Sequence, residues 1–239
     1  MPPTFDEAWS IADGVEGWLT REQGRALFDA AGRVASGQAV VEVGSHRGKS
    51  TILLAAGLPE GVSLTAVDPF DDPRWGGGPE SLAVFEQNLR AAGVTDRVTL
   101  YRGLSGEAAA QWRGPSVGLA FVDGAHDEAS VLVDLDGWDP HLADGGALVL
   151  HDAFSAIGTT RAVLRRLWWT RRYRYVGSVR TLVTFEKVPR SSLEALGDAA
   201  RLSTRLGFFA RMVAIKLARR RGAHGIERRL MREPNEPLI

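Results

Sequence analysis

A strand-like apolar run that turns through two glycines into a helix is the pattern in this chain most able to do chemistry: Val40-Val41-Glu42-Val43-Gly44-Ser45-His46-Arg47-Gly48-Lys49-Ser50. In open α/β sheets ligands bind at that edge, where the carboxyl end of a strand meets the N–H groups of a helix N-terminus. Gly48-Lys49-Ser50 imitates a phosphate-binding loop, but such a loop needs four residues between its first glycine and Gly-Lys-Ser, and only Ser45, His46 and Arg47 follow Gly44. A dinucleotide site would want a glycine where Glu42 stands, since a carboxylate there repels a pyrophosphate. A cationic or zwitterionic ligand without phosphate tolerates Glu42, and the glycines still admit it closely. Asp68 follows the apolar run Leu64–Val67, 26 positions after Glu42. A carboxylate at that strand end can accept both hydroxyls of a ribose; the alternative reading is a surface Asp capping the turn before Pro69.

Other chemistries are excluded or demoted by residue type. The chain has no cysteine, which removes disulfides, thiolate zinc sites, iron–sulfur clusters and thiol nucleophiles. No Gly-x-Ser-x-Gly elbow occurs, against a serine hydrolase on an α/β sheet. Asp134, Asp136 and Asp139 begin like a calcium loop, yet Gly137 stands at the fourth position and Gly145 replaces the closing Glu, so they read as a solvated helix end. His46 and His141 read as solvated loop residues. Trp75-Gly76-Gly77-Gly78-Pro79 reads as a lid or sugar-stacking wall over the cofactor edge, or as a plain surface loop.

The elements that must position these residues alternate. Residues 5–37 read as helical. Short apolar runs at Ala39–Val43, Leu64–Val67, Val98–Tyr101, Val117–Val122 and Ala147–Leu150 are separated by helical stretches from Ser50, over Ser81–Ala92, near Glu107–Trp112 and from Glu128. Parallel strands need crossovers of a dozen or more residues, usually helical, so this is a parallel βαβ sheet. A helix over Thr159–Trp169 precedes two alternating segments, Tyr173–Val179 and Thr181–Lys187, joined too tightly for anything but a hairpin. After Pro189, Ser191 and Glu194 have capping-box spacing and open an amphipathic helical stretch, with Glu233–Ile239 as a frayed end.

With these elements in place, Glu42-x-Gly44-x-x-x-Gly48, Asp68 and Gly145-Gly146 resemble the class I S-adenosylmethionine-dependent methyltransferases, over roughly residues 15–188. The resemblance implies a Rossmann-like α/β fold with a seven-stranded sheet, an antiparallel last strand and helices on both faces. It implies S-adenosylmethionine as cofactor, with Gly44, Ser45 and Gly48 under its methionine part, Glu42 near the amino group, Asp68 on the ribose, and Gly103 and Ser105 near the adenine. Phe121-Val122-Asp123-Gly124-Ala125-His126 and Leu150-His151-Asp152 resemble the metal-assisted sugar and small-molecule O-methyltransferases, macrolide-sugar enzymes among them. That likeness implies Asp123 and Asp152, with His151, as ligands of a divalent ion, Asp123 also beside the cofactor, and His126 as general base. His151 stands where many relatives carry a second carboxylate; imidazole is softer, which moves the expectation from Mg²⁺ toward Mn²⁺ or no metal.

At 239 residues and 25.9 kDa the chain suits one large domain. It divides into an N-terminal helical cap (1–38), a cofactor-binding core (39–188) and a basic helical tail (189–239). The net charge of zero conceals 10 basic against 23 acidic residues over 1–160, giving −13, and 19 against 6 over 161–239, giving +13. A basic tail on an acidic body folds back or meets an anionic partner. Arg201, Arg205, Arg211, Lys216 and Arg219–Arg221 among Leu206, Phe208, Phe209, Met212 and Val213 suit a peripheral contact with the inner membrane surface, or packing on the body or a second copy. Acidic residues among the first 30 positions do not fit a signal peptide, and the expectation is a cytoplasmic protein. The acceptor is expected to be a small molecule, a sugar or glycolipid hydroxyl. Nucleic acid is the rival partner, opposed by the absence of an Asn/Asp-Pro-Pro-aromatic motif and of any cysteine for cytosine methylation. A non-catalytic surface or assembly protein on the same fold is the other alternative.

Overall fold

The computed structural model describes residues 3–71, 73 and 77–222. The expected roles of Trp75 and Gly76 in a lid and the frayed end at Glu233–Ile239 lie outside these residues. Strands β1 (Ala39–Val43), β2 (Ser63–Val67), β3 (Val98–Tyr101), β4 (Val117–Val122), β5 (Leu142–Leu150), β6 (Tyr173–Val179) and β7 (Leu182–Lys187) form one sheet in the order β3-β2-β1-β4-β5-β7-β6. The first five pair in parallel, and β7 pairs antiparallel with both β5 and β6. The Rossmann-like methyltransferase sheet expected from sequence is therefore present, with the hairpin inserted so that its second strand lies inside.

Alternation along the central strands divides the core in two. Val40, Leu119 and Phe121 face a cluster that includes Leu27, Leu53 and Leu54. Val41, Val43, Ala120 and Val122 face another with Leu135, Trp138 and Phe185. β1 and β4 are buried along their whole length, which is why their sequences lack polar alternation. On the first face lie α1 (Phe5–Ala12), α2 (Arg21–Ala31) and α3 (Lys49–Gly57); α4 (Ser81–Ala91) adds Phe85 and Leu89 to the same cluster. On the second lie α5 (Ser105–Ala110), α6 (Glu128–Trp138) and α7 (Ile157–Arg166). The helical N-terminal segment consists of two helices, each opened by a capping box, Thr4 with Glu7 and Thr20 with Gln23.

The tail is likewise two helices, α8 (Ser192–Ser203) and α9 (Arg205–Arg220), and the predicted box of Ser191 and Glu194 starts the first. Met212, Ile215 and Ala218 of α9 are buried, and Phe208 and Phe209 pack on the second cluster. Part of the basic half pairs with the acidic body, through residues ahead of the tail. Arg161 and Arg165 pair with Glu128, Arg166 with Asp136, and Arg172 with Asp139. No described helix is long and apolar enough to cross a membrane.

Candidate active site

The carboxyl ends of β1, β2, β4 and β5 open into a cavity of about 970 Å³ whose walls include Gly44, Ser45, Asp68, Gly103, Ser105, Asp123, His126, His151 and Asp152. Nine of the eleven residues expected to bind or catalyse thus meet at one sheet edge. Two do not reach it. Gly48 forms the left-handed N-cap of α3 at φ 90°, with Phe85 beside it. Glu42 lies fully buried beneath the wall, where its Oε2 accepts hydrogen bonds from Ser45 Oγ at 2.8 Å and Thr51 Oγ1 at 2.5 Å. Its Oε1 has no partner. Burial pushes the Glu42 carboxyl up to about 7, against the pull of the Ser50, Thr51 and Ser45 hydroxyls and with some help from the charge of Asp123.

Gly44 has φ 85°, and a Cβ there would strike the Asp123 carbonyl and Gly124 Cα. The glycine is needed first for the close approach of two strand ends, ahead of any ligand. Asp68 holds the same loop: its Oδ2 accepts from Ser45 N at 2.8 Å and His46 N at 2.9 Å, and its Oδ1 from Phe70 N at 2.7 Å. A carboxylate offers about four acceptor positions, so three are taken by backbone and one remains for a ligand hydroxyl rather than two.

Asp123 ends β4, and Asp152 follows β5 in a left-handed conformation at φ 54°, with Phe154 at φ 66°. Non-glycine residues seldom adopt such angles, and strain of this kind clusters at functional sites. Ligand atoms of Asp123, His126 and Asp152 all lie within 4.8 Å of one another. Asp152 Oδ1 accepts from Ser155 Oγ at 2.9 Å, while its buried Oδ2 has no hydrogen-bond partner and lies 3.6 Å from His126 Nε2.

His151 sits deeper, 3% exposed, with its Nδ1 3.1 Å from Asp123 Oδ1 and its Nε2 3.1 Å from Gln23 Nε2. Gln23 Oε1 accepts from the Thr20 backbone N–H at 3.0 Å, which fixes the amide so that Nε2 faces the imidazole. His151 Nε2 therefore accepts, and Nδ1 donates to Asp123. Both nitrogens are engaged: Nδ1 also lies 3.6 Å from Asp152 Oδ2, so His151 touches both carboxylates from below, while His126 completes the group whose ligand atoms lie within 4.8 Å of one another. Burial disfavours charge on His151, but the charge and hydrogen bond of Asp123 and the charge of Asp152 outweigh it and push its pKa up to about 9. The Gln23 N–H facing Nε2 acts against that added proton.

Three further expectations change. His46 is no solvated loop residue: it has φ 47°, lines the cavity, packs on Trp18 at 5.3 Å, and leaves Nε2 buried without a hydrogen-bond partner. Burial, then the charge of Arg47, lowers its pKa. His141 bonds the Ala109 carbonyl at 2.9 Å and packs on Trp138. Asp134 is 5% exposed and lines the cavity; burial pushes it up to about 7 despite a hydrogen bond from Ser105, whose oxygen accepts from Trp138 Nε1. A signal for Asp134 existed, since Val131, Asp134, Leu135 and Trp138 recur at the spacing of one helix face. Nothing in the sequence placed Trp18 beside His46.

A family described as a methyltransferase domain matches residues 41–153. The chain is 31% identical over 130 residues to a provisionally named O-methyltransferase of Mycolicibacterium smegmatis, covering 54% of this chain and 57% of the relative. It is also 31% identical over 130 residues to one from a Mycobacterium species, covering 54% of each chain. The chain thus spans a little over half the length of the curated relatives it matches. A cofactor-bound protein of MTB superposes with a TM-score of 0.61 at 19% identity over 78% of this chain and 89% of the other. An O-methyltransferase of Bacillus cereus in complex with SAH gives 0.56 at 14% identity over 77% and 92%. TomG of Streptomyces achromogenes, an O-methyltransferase of tomaymycin synthesis in complex with SAM, gives 0.54 at 17% over 77% and 87%. At such identities these likenesses are of fold. Sheet order, glycine turn and matched segment agree: residues 41–153 match a methyltransferase domain, on a sheet with the strand order of the class I methyltransferase fold.

Proposed function

We propose that this protein transfers the methyl group of S-adenosylmethionine to a hydroxyl of a small-molecule acceptor. The observation that carries the reading is the convergence of Asp123, His126 and Asp152 in the wall of the cavity that also holds the glycine turn. The Gly44–Ser45 turn takes the methionine part of the cofactor, Asp68 one ribose hydroxyl, and Gly103 and Ser105 the adenine side. Glu42 acts through Ser45, which it holds. As the acceptor oxygen bonds to the methyl carbon, the carbon–sulfur bond breaks, S-adenosylhomocysteine departs, and the hydroxyl proton passes to His126 Nε2. Catalysis is then chiefly the holding of two reactants in line.

The residues also fit a divalent cation. The orphaned Oδ2 of Asp152 is a buried acceptor, and Asp123 and His126 bring their ligand atoms within reach of it. When bound, such an ion lowers the pKa of a hydroxyl near it. A nitrogen that binds the ion cannot also take the proton, so His126 serves one role or the other. Mn²⁺ suits a set containing imidazole better than Mg²⁺ does. A sugar with adjacent hydroxyls, or a catechol, suits paired carboxylates, and Trp18, 50% exposed in the same wall, offers a flat surface to either ring.

Thermal shift tests the cofactor: at ~100 times its dissociation constant a ligand of the folded state adds ~2.7 kcal/mol, and no shift with S-adenosylmethionine would reject the reading. Calorimetric titration with Mn²⁺ tests the ion. Loss of heat in Asp152→Asn, with cofactor affinity retained, is expected; equal Mn²⁺ binding in that variant would remove these ligands from the account. Once an acceptor is found, His126→Ala is expected to lower turnover ~10²- to 10⁴-fold if it is the base.

A further inference from the structure

The C-terminal helix α9 has two apolar faces, and only one is used. Phe208, Met212 and Ile215, at intervals of four and three, face the body, and Met212 and Ile215 are buried. Leu206, Ala210, Val213 and Leu217, at intervals of four, three and four, form a second row. Leu206 and Leu217 are 38% and 47% exposed and Ala210 is exposed, so this row faces outward. The charged residues of α9 are five, all basic, with Arg220 exposed at its end and Arg221 exposed just beyond.

We propose that the outward row of α9 docks on an anionic lipid surface, the helix lying in the interface rather than crossing it. The charge pattern selects this occupant. A second copy would bring another all-basic helix against this one, whereas anionic headgroups complement it. Nucleic acid would answer the charge but leave the Leu206–Leu217 row without apolar cover. The −13 charge of residues 1–160 favours presenting the C-terminal side to such a surface, with the body turned away. Trp168 and Trp169, 42% and 55% exposed, add to the same side: Trp168 Nε1 donates to Ser203 Oγ at 2.9 Å, three residues before Leu206. Exposed tryptophan rings suit a headgroup region.

The full chain is tested by co-sedimentation with vesicles of phosphatidylcholine alone and with about a third phosphatidylglycerol, at low and high salt. Salt-sensitive binding to the anionic vesicles only, reduced at least tenfold in Leu206→Glu/Leu217→Glu, is the expected result. Melting temperature and S-adenosylmethionine affinity, measured on the same variant, are expected to match the parent, which separates loss of docking from loss of fold or of the methyltransferase reading. Absence of binding to anionic vesicles, or binding unchanged by the substitutions in a folded variant, overturns the proposal. So does a sedimentation-velocity dimer of the parent that becomes monomeric in the variant, since that row would then be covered by a second copy.

Discussion

Gln23 shows how much of the site rests on one side chain outside the matched segment. Its Oε1 closes the capping box of α2, and its Nε2 donates both to His151 and to Thr181 Oγ1, the latter at 2.9 Å. Truncation leaves buried groups without partners, a cost of about 1–3 kcal/mol for each. Gln23→Ala is therefore expected to lower stability in urea unfolding by about 2 kcal/mol and, with His151 released, to slow turnover without weakening S-adenosylmethionine binding. A cofactor affinity that falls in step with turnover would show that Gln23 acts on the fold of the cavity as a whole.

Among the elements, the turn after β1 carries the most constraint. Gly44 cannot gain a Cβ without displacing the Asp123 carbonyl, so Gly44→Ala damages the β1–β4 junction before it meets any cofactor. The expected outcome is a lowered melting temperature in the absence of ligand together with weakened S-adenosylmethionine binding. Unchanged apo stability with weakened binding would restore a purely steric role against the cofactor. Asp68→Ala removes the acceptor for three backbone N–H groups and is expected to loosen the same turn, so calorimetry should show both a lower melting enthalpy and a lost cofactor contact. At the other end of the chain, Ser191→Ala removes one half of the box that opens α8 and is expected to cost about 1 kcal/mol.

For the whole molecule, two buried carboxyls set a pH dependence of one sign. Glu42 and Asp134 are raised to about 7 by burial, while in the unfolded chain they titrate near 4.5 and 3.8. Between those values the folded state binds more protons than the unfolded one, so their contribution makes stability fall as pH rises from about 4 to 7, and it levels off above. Glu42→Gln and Asp134→Asn are each expected to flatten that slope in melting curves taken from pH 5 to 8, with the largest gain over the parent at pH 8. A slope unaltered by both substitutions would show that neither carboxyl is protonated in the folded protein.

Strand identity, the parallel core, the hairpin and the box at Ser191 were legible in the sequence because each depends on contacts near in the chain: β1 and β4 lack polar alternation, and capping spacing is three residues. The place of the glycine turn was legible for the same reason, since Glu42, Gly44 and Gly48 follow one another from the end of β1 to the start of α3. What only the tertiary structure decided is how residues far apart in sequence share the remaining valences. Glu42 points under the wall because Ser45 and Thr51 claim it. His126 joins Asp123 and Asp152, and His151, which touches both with Nδ1, meets Gln23, 128 positions away, with Nε2. Sequence spacing shows which residues reach the same sheet edge, whereas which atom each presents follows from hydrogen bonds and burial that exist only once the faces of the sheet are covered.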